Sequence, residues 1–268
     1  MKRRDITEFE VYMNEPRGNN NQNYWILDGN KKLIKTNSVD SDLDVMEKLA
    51  SDILKCLGID CINVELGING GRNCCIIETF ETKSESLYDM IIDWKNVDTE
   101  SASDDIDLCF EQMFFHFKHN LYNISNCELE QIKESYIRMI FGDCITGNFD
   151  RHLGNVGILF DEKKHQFRLA PSYDNAMSFK GYNLFKTYKC CIGKQSFKID
   201  DVLAYLVQNY SNTISDIIYN LNILATKDIE EIVSNYEIDL GKKQYIIKYI
   251  RKVNQIAEYE ANKEMKLV

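Results

Sequence analysis

Gly147-Asn148-Phe149-Asp150-Arg151-His152-Leu153-Gly154-Asn155 is the stretch that decides the reading of this 268-residue chain. It sits inside a longer run, Gly142 to Ser178, which also holds Tyr173-Asp174-Asn175. An Asp, an Asn five residues later and a second Asp beyond a short hairpin are the side chains that phosphoryl transfer requires. One carboxylate, Asp150, orients an attacking hydroxyl and takes up its proton, while the Asn155 amide oxygen and the Asp174 carboxylate hold Mg²⁺ against phosphates. The intervening sequence supports that geometry. Val156 to Phe160 reads as a strand, Asp161 to Lys164 as a polar turn, and His165 to Leu169 as an alternating return strand. Such a hairpin starts and ends on one side, which brings Asn155 and Asp174 together.

Protein-kinase catalytic loops carry the same five-residue spacing between catalytic Asp and metal-binding Asn. Asp150-Arg-His152-x-x-Asn155, a hairpin, and then Ala170-Pro-Ser-Tyr-Asp-Asn175 resembles the HipA-like Ser/Thr kinases, most of all their compact, stand-alone CtkA type. The Asp-Arg-His order is also similar to that of the phosphatidylinositol 3- and 4-kinases, whose fold is related. The resemblance runs from Trp25 to the C-terminus and fades over the first twenty residues and over 84–127. Asn175 stands where Asp-Phe-Gly has its Gly, and the nucleotide loop is poor in Gly. The resemblance implies an α+β, two-lobed, protein-kinase-like fold, with a small antiparallel β-sheet N-lobe over 1–80 and a mainly helical C-lobe over 81–268. It also implies ATP and Mg²⁺ as cofactors and a protein Ser or Thr as acceptor.

From the N-terminus, the pattern predicts a strand over Phe9 to Met13, a turn-rich loop from Asn14 to Asn23, and a hairpin of Tyr24–Leu27 and Lys32–Lys35 about Asp28-Gly-Asn-Lys31. Asn tolerates positive φ, so an Asn-rich loop around Gly18 and Asn19 can present backbone N–H groups to phosphate; an ordinary surface loop has the same composition. Ser41 to Leu57 is an amphipathic helix with Leu43, Met46, Ala50, Ile53, Leu54 and Leu57 on its apolar face, Ser41 or Asp42 as cap and Gly58 as stop. By resemblance, Lys35 is the phosphate-binding strand lysine and Glu47 the helix glutamate that pairs with it, with Lys31 and Lys32 weaker candidates. Cys61–Leu66 and Cys74–Phe80 complete a five-strand sheet, and Glu78-Thr79-Phe80 becomes the hinge whose backbone meets adenine.

The C-terminal part reads as helices. They are expected at Leu87–Ile92, Leu108–Leu121, Glu128–Cys144, Ile199–Tyr210, Ile214–Leu224, Lys227–Ser234 and Leu240–Lys263. His116 and His119 have metal-ligand spacing but no third ligand, which favours ordinary packing. Asp143, Asn148 and Arg151 are expected to brace the catalytic loop. His152 either faces the transferred phosphoryl, as in the lipid kinases, or packs and makes one hydrogen bond. Ala176 to Lys198 carries Lys180, Lys186, Lys189, Lys194 and Lys198 and no acid, against a chain charge of 32 − 42 = −10.

That net charge argues against direct nucleic-acid binding and against an anionic membrane surface. No apolar run is long enough to span a bilayer, and no signal peptide is expected. Nine Cys without a C-x-x-C pair suggest thiols in a reducing cytoplasm, not a zinc site or a disulfide framework. The N-terminal region of larger HipA-like proteins is not expected in this chain, and a partner antitoxin or regulator is not readable. Catalysis at Asp150 and His152 with Lys35 is the leading reading. A lipid or small-molecule kinase, and a nucleotide sensor without catalysis, are the alternatives.

Overall fold

The computed structural model describes residues 2–14, 23–37, 41–89, 105–180 and 189–265. The Asp28-Gly-Asn signal makes the first hairpin, β3 (Asn23–Asp28) and β4 (Asn30–Thr36), with Asp28 opposite Asn30. Gly29 alone rounds the turn at φ +70°, a conformation open to Gly at no steric cost. β5 (Val64–Asn69) and β6 (Arg72–Glu78) form the second hairpin, with Gly70 and Gly71 both at positive φ as a type I′ turn demands. β6 pairs with β4.

The sheet is larger than the five strands expected. β1 (Arg4–Asp5) joins the β5 edge in parallel, and β2 (Met13–Asn14) joins the β3 edge, giving six strands in the order β1-β5-β6-β4-β3-β2. The strand expected over Phe9 to Met13 is therefore displaced. Ile6 and the partly buried Phe9 fill the outer face of the sheet with Ile26, Ile34, Cys74 and Ile76, so apolar Phe9 serves packing and not a ladder.

The other face of the sheet receives α1 (Leu43–Cys56). Asp42 stands at its N-cap without a side-chain bond, and the Ser41 hydroxyl oxygen accepts from the Leu43 N–H (3.3 Å). Both ends of α1 are held by the helical lobe. Asp42 pairs with Lys242, Asp52 accepts from the Tyr236 hydroxyl, and the carbonyls of Leu57 and Gly58 accept from Asn220 (3.3 Å) and Arg138 (3.0 Å).

Beyond the sheet, β7 (Glu85–Asp89) pairs antiparallel with β8 (Gly157–Asp161), and β8 with β9 (Gln166–Leu169). The helix expected at Leu87–Ile92 is thus a strand as far as Asp89, and the rest of that span lies outside the described residues. Tertiary pairing overrode a weak local preference. The edge of β8 takes β7, and Leu87 fits over Gly157, where a Cβ would come within 2.7 Å of it.

α2 (Ile106–Asn120) starts at the Asp105 cap, and α3 (Asn126–Thr146) starts at a capping box formed by Ser125 and Glu128. α3 ends at Gly147, φ +62°, which turns the chain into the catalytic loop. A hairpin of β10 (Lys189–Ile192) and β11 (Gln195–Lys198) follows that loop region. The two helices expected at 199–210 and 214–224 are one, α4 (Ile199–Ile223), kinked at Tyr210. A π-helical turn (Leu224–Asp228) leads into α5 (Ile229–Ser234), and α6 (Leu240–Met265) closes the chain. α3 is the central helix, with Ile132, Tyr136, Ile140 and Cys144 all buried. Among the described residues no helix is long and apolar enough to cross a membrane.

Candidate active site

The loop after α3 is built around Arg151, whose side chain is completely buried. Its Nε and Nη2 donate to the two oxygens of buried Asp143 (2.9 Å each). Nη1 donates to the carbonyls of Asn155 (3.0 Å) and Tyr173 (2.6 Å). Nη2 also reaches Ser172 Oγ (2.8 Å) and Asn175 Oδ1 (2.7 Å). Burial works against the guanidinium charge, and Asp143 more than offsets it, so the pKa of Arg151 lies above the ordinary arginine value. One planar cation thereby binds both loops that the β8–β9 hairpin brings side by side. Tyr173 Oη, donating to Gly154 O (3.3 Å), adds a second tie.

Asp143 also accepts from Asn148 Nδ2 (3.0 Å), and Asn148 Oδ1 accepts from the Asp150 N–H (3.2 Å). Asn155 Nδ2 donates to Asp150 O (2.8 Å). With its NH₂ committed there, the amide oxygen of Asn155 is the end left to act as a ligand. His152 is exposed, and its Nδ1 accepts from Gly154 N–H (3.0 Å). The neutral ring then carries its proton on Nε2.

Register places the strand lysine. In β4, Leu33, Lys35 and their partners Ile77 and Cys75 share the face turned to α1. Lys35 Nζ lies 2.9 Å from Asp174 Oδ1 and 3.8 Å from Glu47 Oε2. Glu47 is fully buried; its Oε1 accepts from the Asn175 N–H (2.8 Å), and its Oε2 has no hydrogen bond. Burial opposes the Lys35 ammonium, but Glu47 and Asp174 outweigh it and raise the pKa. Asp174 is pushed up by burial and brought below its ordinary value by Lys35. At Glu47 burial prevails over Lys35, and the carboxyl lies above its usual range. Asp174 holds a left-handed backbone at φ +57°, a conformation that costs a non-Gly residue energy and marks a constrained site.

Lys31 and Lys32 are engaged elsewhere: Lys31 lies over the Trp25 ring and Lys32 pairs with Asp28 (3.0 Å). In the segment expected as hinge, Glu78 ends β6 opposite Lys32 and accepts from Asn30 Nδ2 (2.9 Å). The Thr79 N–H is given to Lys31 O (3.1 Å). Phe80 stacks on Tyr173, centroids 5.6 Å apart, and its carbonyl accepts from Arg168 (3.3 Å). Gly18 and Asn19, with the expected phosphate loop, lie outside the described residues, as do Lys186, Thr187 and Tyr188.

The donor set fits magnesium. Asp174 and Asn155 offer hard oxygens, and among the described residues no cluster of three or more His, Cys, Asp or Glu could hold a metal by itself. That suits an ion that takes one or two protein oxygens and completes its shell with phosphate and water. The His pair separates: His116 is buried against Asn120 (2.6 Å), and His119 stacks on Phe115. None of the nine cysteines forms a disulfide.

Sequence reading missed the part played by Asn175, seen there only as a departure from a pattern. Its backbone holds Glu47, and its side chain holds Arg151, Ser172 (3.0 Å) and Cys61 (3.5 Å). A polar residue directly after the metal-site Asp was the available signal. The Arg168–Glu85 pair (2.7 Å) beneath Phe80 had none, because it joins two segments 83 residues apart.

Residues 19–235 match the family model of the HipA-like C-terminal domain. The chain is 26% identical over 195 residues to the serine/threonine-protein kinase CtkA of Helicobacter pylori, covering 71% of this chain. It spans about half (52%) of the length of that curated relative. The crystal structure of the H. pylori proinflammatory kinase CtkA superposes with a TM-score of 0.70 at 17% identity, over 97% of this chain and 99% of the other. HipA of Shewanella oneidensis, in a complex with HipB and operator DNA, gives 0.60 at 14% identity, over 95% of this chain and 67% of that one. These likenesses establish the two-lobed, kinase-like α+β fold.

Proposed function

We propose that this chain, which belongs to the family of HipA-like C-terminal domains, is an ATP- and Mg²⁺-dependent protein Ser/Thr kinase. The observation that carries the reading is the convergence of Asp150, Asn155, Asp174 and Lys35 about one buried arginine. A site with no phosphate to hold has no use for a strained Asp facing a strand lysine beside a catalytic-loop Asn. In this reading the lobe boundary falls near residue 80, and the nucleotide lies between the lobes against Lys35, the 78–80 segment and the loop around Gly18 and Asn19.

Lys35, steadied by Glu47, holds the phosphates. Asn155 and Asp174 would hold Mg²⁺, which would neutralise phosphate charge when bound. Asp150 orients the acceptor hydroxyl. The hydroxyl oxygen forms a bond to the γ-phosphorus as the bond to the ADP oxygen breaks, and the hydroxyl proton passes to Asp150. His152 Nε2–H supplies a donor to the transferred group. Positioning and charge neutralisation supply most of the acceleration. The CtkA relative, a serine/threonine-protein kinase, favours a protein Ser or Thr as acceptor, and autophosphorylation is part of the proposal. A cytoplasmic site of action is part of the reading, since nine Cys without a C-x-x-C pair suit a reducing compartment.

The test is incubation with γ-labelled ATP and Mg²⁺, with and without a protein acceptor, beside Asp150→Ala and Asp174→Ala, followed by mass spectrometry. Phosphate on Ser or Thr with the wild type alone is expected. ATP binding without transfer to any protein would sink the protein-kinase reading and favour a small-molecule acceptor or a nucleotide sensor.

A further inference from the structure

The β10–β11 hairpin is a separate feature of the helical lobe. Its inner face is apolar, with Cys190 and Ile192 buried and Cys190 Sγ lying 4.0 Å from Ile140 O of α3. Its outer face follows from the register. Lys189 stands directly opposite Lys198, and Cys191 directly opposite Ser196. Alternation along each strand puts these four on the side away from the core. Lys189, Ser196 and Lys198 are exposed, and Cys191 is half-buried.

Two features make this face unusual. Like charges set directly opposite across an antiparallel pair destabilise it, yet here they crown a hairpin in a chain of net charge −10. From Lys189 to Lys198 there is no acidic residue, and the acid next in sequence beyond the hairpin, Asp200, is paired with Lys252 (3.5 Å). The face is also tied to the reaction centre. Cys191 Sγ donates to the carbonyl of Phe149 (2.9 Å), the residue before Asp150, and lies 3.2 Å from Ser196 Oγ. Two lysines that form no ion pair among the described residues, on a hairpin that Cys191 ties one residue from Asp150, have the charge and the position to receive the acceptor.

We propose that the outer face of the β10–β11 hairpin, built on Lys189 and Lys198, docks an acidic segment of the protein substrate beside its Ser or Thr. This rests on the kinase reading above and names its substrate class. The polarity is opposite to that of the chain as a whole, so selectivity arises locally. A substrate with acidic residues near the acceptor is drawn to this edge and a basic one is repelled by it, while the attraction of the acidic remainder of the surface for a basic substrate is weak, since exposed charges beyond a Debye length are screened.

The experiment uses the full chain and two fluorescein-labelled peptides that share one Ser/Thr acceptor, flanked by a run of Glu or a run of Lys. Anisotropy gives Kd, and phosphate incorporation from ATP gives KM for peptide and for ATP. The Glu peptide is expected to bind about tenfold tighter than the Lys peptide at about 0.1 M salt, where distant charges are screened, the gap closing as salt is raised further. Joint Lys189→Glu and Lys198→Glu substitution is expected to weaken Glu-peptide binding by about tenfold with KM for ATP unchanged. Should the double charge reversal fail a thermal-melt check for folding, joint Lys189→Gln and Lys198→Gln decides instead, with a loss of about threefold. Equal affinity for the two peptides, or unchanged affinity in the substituted chain, overturns the proposal. Tighter capture by phosphatidylserine vesicles than by the Glu peptide would assign the face to a membrane and overturns it too. Glu-selective binding that Lys189 and Lys198 control, with no phosphate transfer to either peptide, would leave the docking face in place and refute the kinase reading instead.

Discussion

Asp143→Asn is the substitution that tests the centre of this structure. It keeps shape and volume and removes the charge opposite Arg151, which has no exposed surface at all. Both bonds from the guanidinium to Asp143 are 2.9 Å, and neither partner touches water. An amide can accept one of the two but turns its NH₂ toward the other, so one donor loses its acceptor while the buried cation loses its counter-charge. Breaking one side of a buried pair costs about 3–5 kcal/mol. Arg151 retains acceptors on Asn155, Ser172, Tyr173 and Asn175, which places the expected loss at the lower end, about 3 kcal/mol. In a chain of this size that lowers Tm by roughly 6–12 °C. The assay is urea unfolding by circular dichroism and fluorescence, with ATP turnover measured well below the melting range. A double-mutant cycle with Arg151→Met isolates the pair, and a coupling of at least about 1.5 kcal/mol is expected. Turnover should fall more than stability does, because the same guanidinium fixes the loops of Asn155 and Asp174. A melt within about 2 °C of wild type would refute the reasoning, since the carbonyl and amide acceptors would then suffice to hold the cation.

Three other outcomes are expected. At Glu47 the folded carboxyl lies above its ordinary value of 4.5, so as pH rises through 4.5 the unfolded chain ionises first and the charge works against folding; Glu47→Gln should melt at or above the wild-type temperature at neutral pH while turnover drops by about tenfold or more, and a clear fall in Tm would contradict this. Glu85 has the opposite sign: the hydrogen bond from Arg168, first among its causes, lowers its pKa from 4.5, so its contribution is present above 4.5 and lost as pH falls through the lower folded value. Urea midpoints taken from pH ~5 down to ~3 should fall less steeply for Glu85→Gln than for wild type. Tyr236→Phe removes the hydroxyl that holds Asp52 of α1 and should cost about 1 kcal/mol, read as a Tm shift of about 2–4 °C, with peptide phosphorylation slowed because Glu47 rides on the same helix. Unaltered turnover would show that the pin does not position Glu47.

Much of the site was legible because its signals are local. The polar turn at 161–164 and the helical pattern of 128–144 are each read from residues close in sequence, and the hairpin and the helix stand where those patterns put them. Lys35 was legible through its strand and Glu47 through its helix, but their meeting depended on β4 pairing with β6 and on α1 covering that face. The misread elements share one cause. Leu87 to Asp89 is a strand because β8 offers an edge, Phe9 is core because the sheet has an outer face to cover, and Lys189 to Lys198 is a hairpin because Cys190 and Ile192 find α3. None of these partners is nearby in sequence.

By itself the sequence pointed to the chemistry proposed. Asp150 and Asn155 stand five residues apart, Asp174 follows a hairpin pattern, and backbone periodicity placed Lys35 on a strand. The tertiary structure decided how they are charged and held. Whether Arg151 is a surface side chain or the buried hub of two loops, and whether Glu47 sits in water or under a sheet with one oxygen unpaired, depends on burial. Burial is a property of the assembled layers: the dielectric around a charge is set by atoms that arrive from distant segments, and no local pattern encodes them.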